Sequence, residues 1–309
     1  MKRFFLFLIL FITIILFLPT MIVLVFAPRE HSSVGTSPHI FVKHADSGEI
    51  TEESIEEYLI GVVAAEMPAS FHNEAIRAQA VAARTYIYNK ASTGEKNVDH
   101  PDATVCTDST HCKAWLSDSE MHNKLGEDWY KNYYKKIAAS VQDTCGEIIT
   151  YNHEPIVAVF HSTGSGRTEN SVDVWGGDLP YLKSVESPGD MDSPKFTSTV
   201  TIPKHEITSK LGVTDLHVYD YQRSEGGAVL SVNIGGFLFR GADLRKYFSL
   251  NSANFTIEET ESDFIFHVVG SGHGVGLSQY GANHLAEEGK NYTEILTTYY
   301  TNVSIEKAW

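Results

Sequence analysis

The sequence predicts an α+β protein: an N-terminal single-pass transmembrane helix, then one large extracytoplasmic domain with helices early and a strand-rich second half. Three observations carry this. No charged residue occurs from Phe4 to Ala27, where Leu, Ile, Phe and Val predominate. Ile55, Tyr58, Leu59, Val62 and Val63 repeat at the i, i+3, i+4, i+7, i+8 spacing of a helix with one buried face. Beyond Leu216 the chain breaks into short runs rich in Val, Ile, Phe and Tyr, punctuated by Gly, Asn and Ser.

Taken in order, the apolar stretch is the first element. A helix of roughly 24 residues reaches about 36 Å, enough to cross a ~30 Å hydrocarbon core. Lys2 and Arg3 precede it and Arg29, Glu30 and His31 follow. The positive-inside rule then puts residues 1–27 down as a cytoplasmic stub and anchor, with the remainder outside the cell membrane. A cleavable signal peptide is the rival, but its apolar region is shorter, about 7–15 residues, and ends at a small-residue cleavage site. Residues 28–37 read as a polar linker and 38–309 as the extracytoplasmic domain. His39 to Lys43 suits a strand. Ser54 and Glu57 form a capping-box pair that opens the first helix, and Pro68 ends it. An alanine-rich helix follows over about Asn73–Ala91, then a polar, turn-rich segment from Ser92 to about Glu127, then a helix over Trp129–Val141. Glu147–Tyr151 and Ile156–Phe160 read as a hairpin closed by Asn-His-Glu-Pro. Leu216–Tyr221, Ala228–Ile234 and Phe237–Arg240 are strands, the last two turning at Gly235-Gly236. Phe264–Val269 is a further strand, leading through a glycine loop into two final helices.

Composition narrows the function. The chain has 309 residues, 24 Lys+Arg against 39 Asp+Glu, and a net charge of -15. Residues 1–27 hold two positive charges and no acid, so the rest carries 22 Lys+Arg against 39 Asp+Glu, or -17. Nucleic-acid binding needs clustered cations and is unsupported. Three cysteines are too few for a disulfide scaffold.

Glu66 is the leading catalytic candidate. It lies eleven residues after Ile55, and that spacing returns to within ~20° of the same helix face. The buried stripe thus ends in a carboxylate, whose pKa burial would raise toward the range of a general acid. A solvent-facing glutamate at a helix end is the plain alternative. Arg77 and Arg84 share a face of the next helix, either as surface ion-pair partners or as contacts for Glu66 or an anionic ligand. Tyr181 and Lys183, two apart on an extended segment, present a sugar-packing ring and a cation to one side. Ser162 and Thr163 open a ligand-facing turn, but Gly164-Ser165-Gly166 is out of step with a G-x-S-x-G elbow. Gly270, Gly272, Gly274 and Gly276 alternate around His273 without forming a nucleotide-binding G-x-G-x-x-G; His273 and Gln279 line a cleft or brace the loop. His100, Cys106, His111 and Cys112 make a complete tetrahedral zinc set, structural because no ligand position stays open. A Cys106–Cys112 disulfide is the rival, and Cys145 reads as a buried bystander.

Three blocks carry a resemblance. YLIGVVAAEMPASFHNEAIRAQAVAARTY (Tyr58–Tyr86), FHSTGSGRTENSVDVWGGDLPYLKSVES (Phe160–Ser187) and GHGVGLSQYGANHLAEEGK (Gly272–Lys290) resemble, in the same order, the stage II sporulation protein D family. The resemblance implies a lytic transglycosylase with Glu66 as its single catalytic acid and base. Its substrate would be the bond between N-acetylmuramic acid and N-acetylglucosamine in peptidoglycan. It also implies ligand-binding residues around Tyr181 and Lys183. Implied partners are a sporulation amidase and a multispanning membrane protein of the engulfment complex, at the mother cell's septal membrane. Some family members carry a metal near the cleft and others lack these residues, so zinc and disulfide both stay open. Two other functions compete: a peptidoglycan-binding activator of an amidase, and a zinc peptidase, which the absence of H-E-x-x-H opposes.

Overall fold

The computed structural model describes residues 37–94 and 98–309. The expected order holds there: helices dominate the first part and strands the second. The membrane-spanning helix is corrected. Among the described residues no helix is long and apolar enough to cross a membrane. The stretch Phe4–Ala27 and linker residues 28–36 lie outside the described residues. The single-pass membrane localisation drawn from that stretch therefore has no support in the fold and is withdrawn.

Strand β1 (His39–Lys43) pairs antiparallel with β2 (Ile50–Ser54). β2 runs directly into helix α1 (Ile55–Glu66), where the Ser54 side chain accepts from the Glu57 N–H. Met67 leaves helical geometry at φ -120° and ψ 137°, because the ring of Pro68 disfavours a helical residue before it. Helix α2 (Asn73–Thr93) is the centre of the larger core. Ala75, Ala78, Ala80, Ala82 and Ala83 are fully buried, and their small side chains let α1 and three later helices approach. Strand β3 (Val105–Cys106) then joins β1 in parallel.

The segment after Ser117 departs from expectation. A capping box of Ser117 and Glu120 starts α3 (Asp118–Trp129) well before Trp129. A π-helical turn (Tyr130–Tyr134) links it to α4 (Lys135–Asp143). Polar composition concealed the cap, whose reciprocal hydrogen bonds need only two residues. The expected hairpin is also shorter. β4 (Glu147–Tyr151) pairs with β5 (Glu154–Pro155), and the Ile156 N–H still bonds to the Ile149 carbonyl at 3.1 Å, but the ladder does not run on through 157–160. The Val159 carbonyl instead accepts from the Leu277 N–H at 3.2 Å and the Tyr300 hydroxyl at 2.7 Å. β6 (Phe160–His161) accordingly pairs with a strand from the glycine loop.

A short helix, α5 (Ser171–Trp175), precedes a second lobe with its own core. The lobe comprises β7 (Thr197–Pro203), α6 (Lys204–Leu211), β8 (Val218–Arg223), β9 (Val229–Ile234), β10 (Phe237–Phe239), α7 (Gly241–Tyr247), β11 (Phe255–Glu259) and β12 (Asp263–Val269). Two antiparallel three-stranded sheets, ordered β10-β9-β8 and β11-β12-β7, enclose Val232, Leu244, Phe255, Phe264 and Phe266. The lobe begins and ends at one point, with the Gly270 N–H bonded to the Phe196 carbonyl at 2.7 Å. The chain then returns to the first core through β13 (Leu277–Ser278), α8 (Gln279–Glu287), α9 (Tyr292–Tyr299) and β14 (Ser304–Lys307), which pairs with β4.

The alternating glycines bring this return under the 159–169 segment. Gly276 has φ +73°, and a Cβ there would lie 2.2 Å from the Val159 carbonyl oxygen. Gly276→Ala is expected to destabilise the protein by more than about 1 kcal/mol, seen as a lower denaturant midpoint. An unchanged midpoint would show that the loop can relax away.

Candidate active site

The end of α1 delivers Glu66 to a half-buried position between the metal-type loop and the start of α8. Its Oε1 accepts from the Ala114 N–H at 3.1 Å, and the Gln279 side chain hydrogen-bonds the same carboxylate. Burial raises the Glu66 pKa above the ordinary carboxylate range; the Lys113 charge and these two hydrogen bonds offset part of that rise. The charge that acts on Glu66 is thus a cation, Lys113.

Lys113 carries no signal in the sequence beyond following Cys112. Its ammonium sits 3.7 Å from the Phe160 ring centroid and 4.8 Å from that of Tyr86. Burial lowers its pKa, and Glu66 opposes that fall. Two aromatic faces and one carboxylate replace the water such a cation gives up.

His273 packs against Trp175 with ring centroids 5.1 Å apart. Its Nδ1 accepts from the Val275 N–H at 3.1 Å. Burial first, then the charges of His161, Lys113 and Arg245, push its pKa well below the ordinary imidazole value. His273 is therefore a neutral ring near neutral pH. Gln279 also donates to Gln79 at 3.4 Å, tying the cleft to α2.

The other predicted residues fall into two groups. Thr163 lies in the turn beside the glycine loop and donates to Ser193 at 2.8 Å; Ser162 contacts it side chain to side chain at 3.4 Å. Arg77, Arg84, Tyr181 and Lys183 are engaged elsewhere. Arg77 is held between Glu74 and Asp143, and Lys183 by Asp178. The Tyr181 hydroxyl accepts from the Val157 N–H at 3.1 Å, with the ring packed on Tyr151. Arg84 is fully buried, bonded in a fork to Glu56 at 2.9 and 2.8 Å, and its remaining donors meet Thr144 and the carbonyls of Glu147 and Val141. The fold leaves Arg84 no donor for a ligand.

His100, Cys106, His111 and Cys112 converge, with one donor atom from each within 4.8 Å of all the others. Cys112 Sγ lies 3.4 Å from His100 Nε2, and His111 Nδ1 lies 3.4 Å from Cys106 Sγ and 3.5 Å from Cys112 Sγ. Zinc bonds of ~2.0–2.3 Å in a tetrahedron imply donor separations of about 3.3–3.8 Å; these three separations fall in that range, while the whole set spreads to 4.8 Å. The outer ring nitrogens are fixed as well. His100 Nδ1 donates to the Ala103 carbonyl at 2.9 Å, and His111 Nε2 meets Asp99 at 3.2 Å. Such outer partners set the tautomer of a metal-binding histidine. Sequence spacing gives no hint of Asp99. Both thiols are free, as is Cys145.

Comparison with known proteins follows the same residues. A model of the stage II sporulation protein family matches residues 43–151, which contain Glu66, Lys113 and the four converging donors. Stage II sporulation protein D of Bacillus subtilis (strain 168) is 36% identical, over 100% of this chain and 97% of the relative. Stage II sporulation protein D of Bacillus amyloliquefaciens is 41% identical over 82% of this chain and 74% of the relative. The amidase enhancer of Bacillus subtilis (strain 168) is 27% identical over 80% of this chain, but over only 40% of its own length. Likeness to a sporulation protein along the entire chain, with the half-buried glutamate inside the matched region, leads to one assignment: the chain belongs to the stage II sporulation protein D family and serves sporulation.

Proposed function

We propose that this chain is a peptidoglycan lytic transglycosylase. It cleaves the bond between N-acetylmuramic acid and N-acetylglucosamine, preferring strands stripped of stem peptides, in septal wall degradation and engulfment. The observation that carries this reading is Glu66, whose acidity burial has weakened and whose charged neighbour is Lys113. A carboxyl group in that setting keeps its proton above the ordinary carboxylate range and can give it to a glycosidic oxygen. Once the proton has left, the Lys113 ammonium and the Ala114 N–H stabilise the carboxylate formed, so both act more strongly after transfer than before it. The same carboxylate then takes the proton of the muramic C6 hydroxyl as that oxygen closes on the oxocarbenium carbon. The product is a 1,6-anhydro end. No water is consumed, so no second carboxylate is needed to activate one.

Mass spectrometry of digested glycan strands tests this. Anhydro-muramic ends support it, whereas reducing ends would indicate hydrolysis. Uncut strands together with acceleration of a wall amidase would favour the second reading, a peptidoglycan-binding amidase activator, which the likeness to an amidase enhancer supports.

The donor set suits one structural zinc held by His100, Cys106, His111 and Cys112. Bound there, zinc would fix the loop that continues through Lys113 and Ala114. Elemental analysis is expected to find about one zinc per chain. Chelation should lower the melting temperature and slow cleavage together. A metal-free protein with the same melting temperature would remove zinc from the account.

A further inference from the structure

A cavity of about 320 Å³ lies between the two cores, outside the immediate surroundings of Glu66. Its walls come from both lobes: Glu169, Trp175 and His273 on one side, Arg240 and Arg245 on the other. This is the low end of the size range of small-molecule sites, suited to one sugar residue.

Three features of the walls are unexplained by the fold. Glu169 is 4% exposed; its Oε1 accepts from the Ala228 N–H at 2.9 Å, and its Oε2 is buried with no partner in hydrogen-bond geometry among the described residues, although Ser224 and the Gly226 N–H act on the same carboxyl group. An unpaired buried carboxylate oxygen costs free energy unless something donates to it. Arg240 and Arg245 meet no carboxylate within salt-bridge distance among the described residues. Among the described residues the one hydrogen bond of the Arg245 side chain runs from Nε to the Leu250 carbonyl at 3.3 Å, and both terminal nitrogens stay open to a ligand. Arg167, the third arginine of the cavity, is already committed to Glu225 and Glu186. Trp175, 49% exposed and packed on His273, offers a flat apolar face.

We infer that this cavity is a binding subsite for an N-acylated sugar that carries a carboxylate. The arginines take the carboxylate as a planar anion. The indole of Trp175 packs on the sugar ring, and Glu169 Oε2 accepts from a ring hydroxyl or the acylamino N–H. The inference rests on the glycan reading of the neighbouring cleft, to which β6 joins it: the Phe160 ring carries the Lys113 ammonium at 3.7 Å, and the His161 ring lies 5.6 Å from that of His273.

Calorimetric titration of the full chain tests it, with three probes: N-acetylmuramic acid, N-acetylglucosamine and a dipeptide with a free C-terminus. N-acetylmuramic acid is expected to bind at least tenfold more tightly than either other probe. Arg240→Gln, at an exposed position that should not disturb folding, is expected to erase most of that tenfold preference. Trp175→Ala, also exposed, should weaken both sugars. Equal binding of the two sugars, a dipeptide held as tightly as the sugar acid, or affinities unmoved by both variants would overturn the inference. Failure of the glycan reading looks different. Strands left uncut while Arg240 still governs sugar-acid binding would retain the subsite and reject the reaction. Strands cut by a protein that does not distinguish the two sugars would do the reverse.

Discussion

Glu66→Gln is expected to reduce glycan cleavage by roughly 10²–10⁴-fold, the contribution typical of a positioned general acid and base. The amide keeps the shape of the carboxyl group and can still accept from the Ala114 N–H, so the fold and binding should persist. What it loses is the transferable proton. The pH dependence follows from the direction of the Glu66 shift. Because burial raises its pKa, the proton donor is present below that raised value and disappears as pH climbs through it. Activity should therefore fall on the alkaline side, later than an ordinary carboxylate would allow. Lys113→Met removes a charge that lowers the Glu66 pKa, so the alkaline limb should move to higher pH, while the rate at the plateau drops for want of carboxylate stabilisation. Comparing kcat–pH profiles of the two variants with the parent checks both statements. Substantial cleavage by Glu66→Gln would end the single-acid mechanism.

Arg84→Ala should cost about 3–5 kcal/mol of folding stability, the range seen when one partner of a buried ion pair is removed. Glu56 would remain beside α2, its Oε1 still accepting from the Gly146 N–H at 3.0 Å but without its cation. The Val141 and Glu147 carbonyls would each lose a donor. Arg84→Lys should recover little, since an ammonium cannot reproduce the fork and the three further contacts. Denaturant unfolding measures the loss. A small loss of stability paired with a large loss of glycan binding would instead make Arg84 a substrate contact.

Much of this was legible in the sequence because local rules governed it. Ser54, the apolar stripe to Val63 and Pro68 fix α1 and leave Glu66 at its end, with no help from the rest of the chain. The four zinc-type donors lie within thirteen positions, so a single loop brings them together. Other features depend on contacts distant in the chain. That Arg84 belongs to Glu56, and not to a ligand, is decided by α1 and the carbonyls near β4. Lys113 matters because Phe160 and Tyr86 arrive on either side of it. The fate of Ile156–Phe160 turned on the glycine loop, more than a hundred residues later, claiming the Val159 carbonyl. Alternating apolar residues announced β9 and β12, whereas polar, exposed β7 and β11 gave little such signal and stand as partners of β12.

The second lobe leaves the chain at Phe196 and rejoins it at Gly270, two residues joined by one hydrogen bond. A segment whose ends meet behaves as a cassette: it can be lengthened or exchanged with little strain at its junction with the host. Glu66, Lys113 and the metal-type loop all belong to the host, whereas Arg240 and Arg245 belong to the cassette. Acid chemistry and the choice of sugar would then be separately heritable, and grafting the cassette between relatives would transfer preference without moving the proton donor.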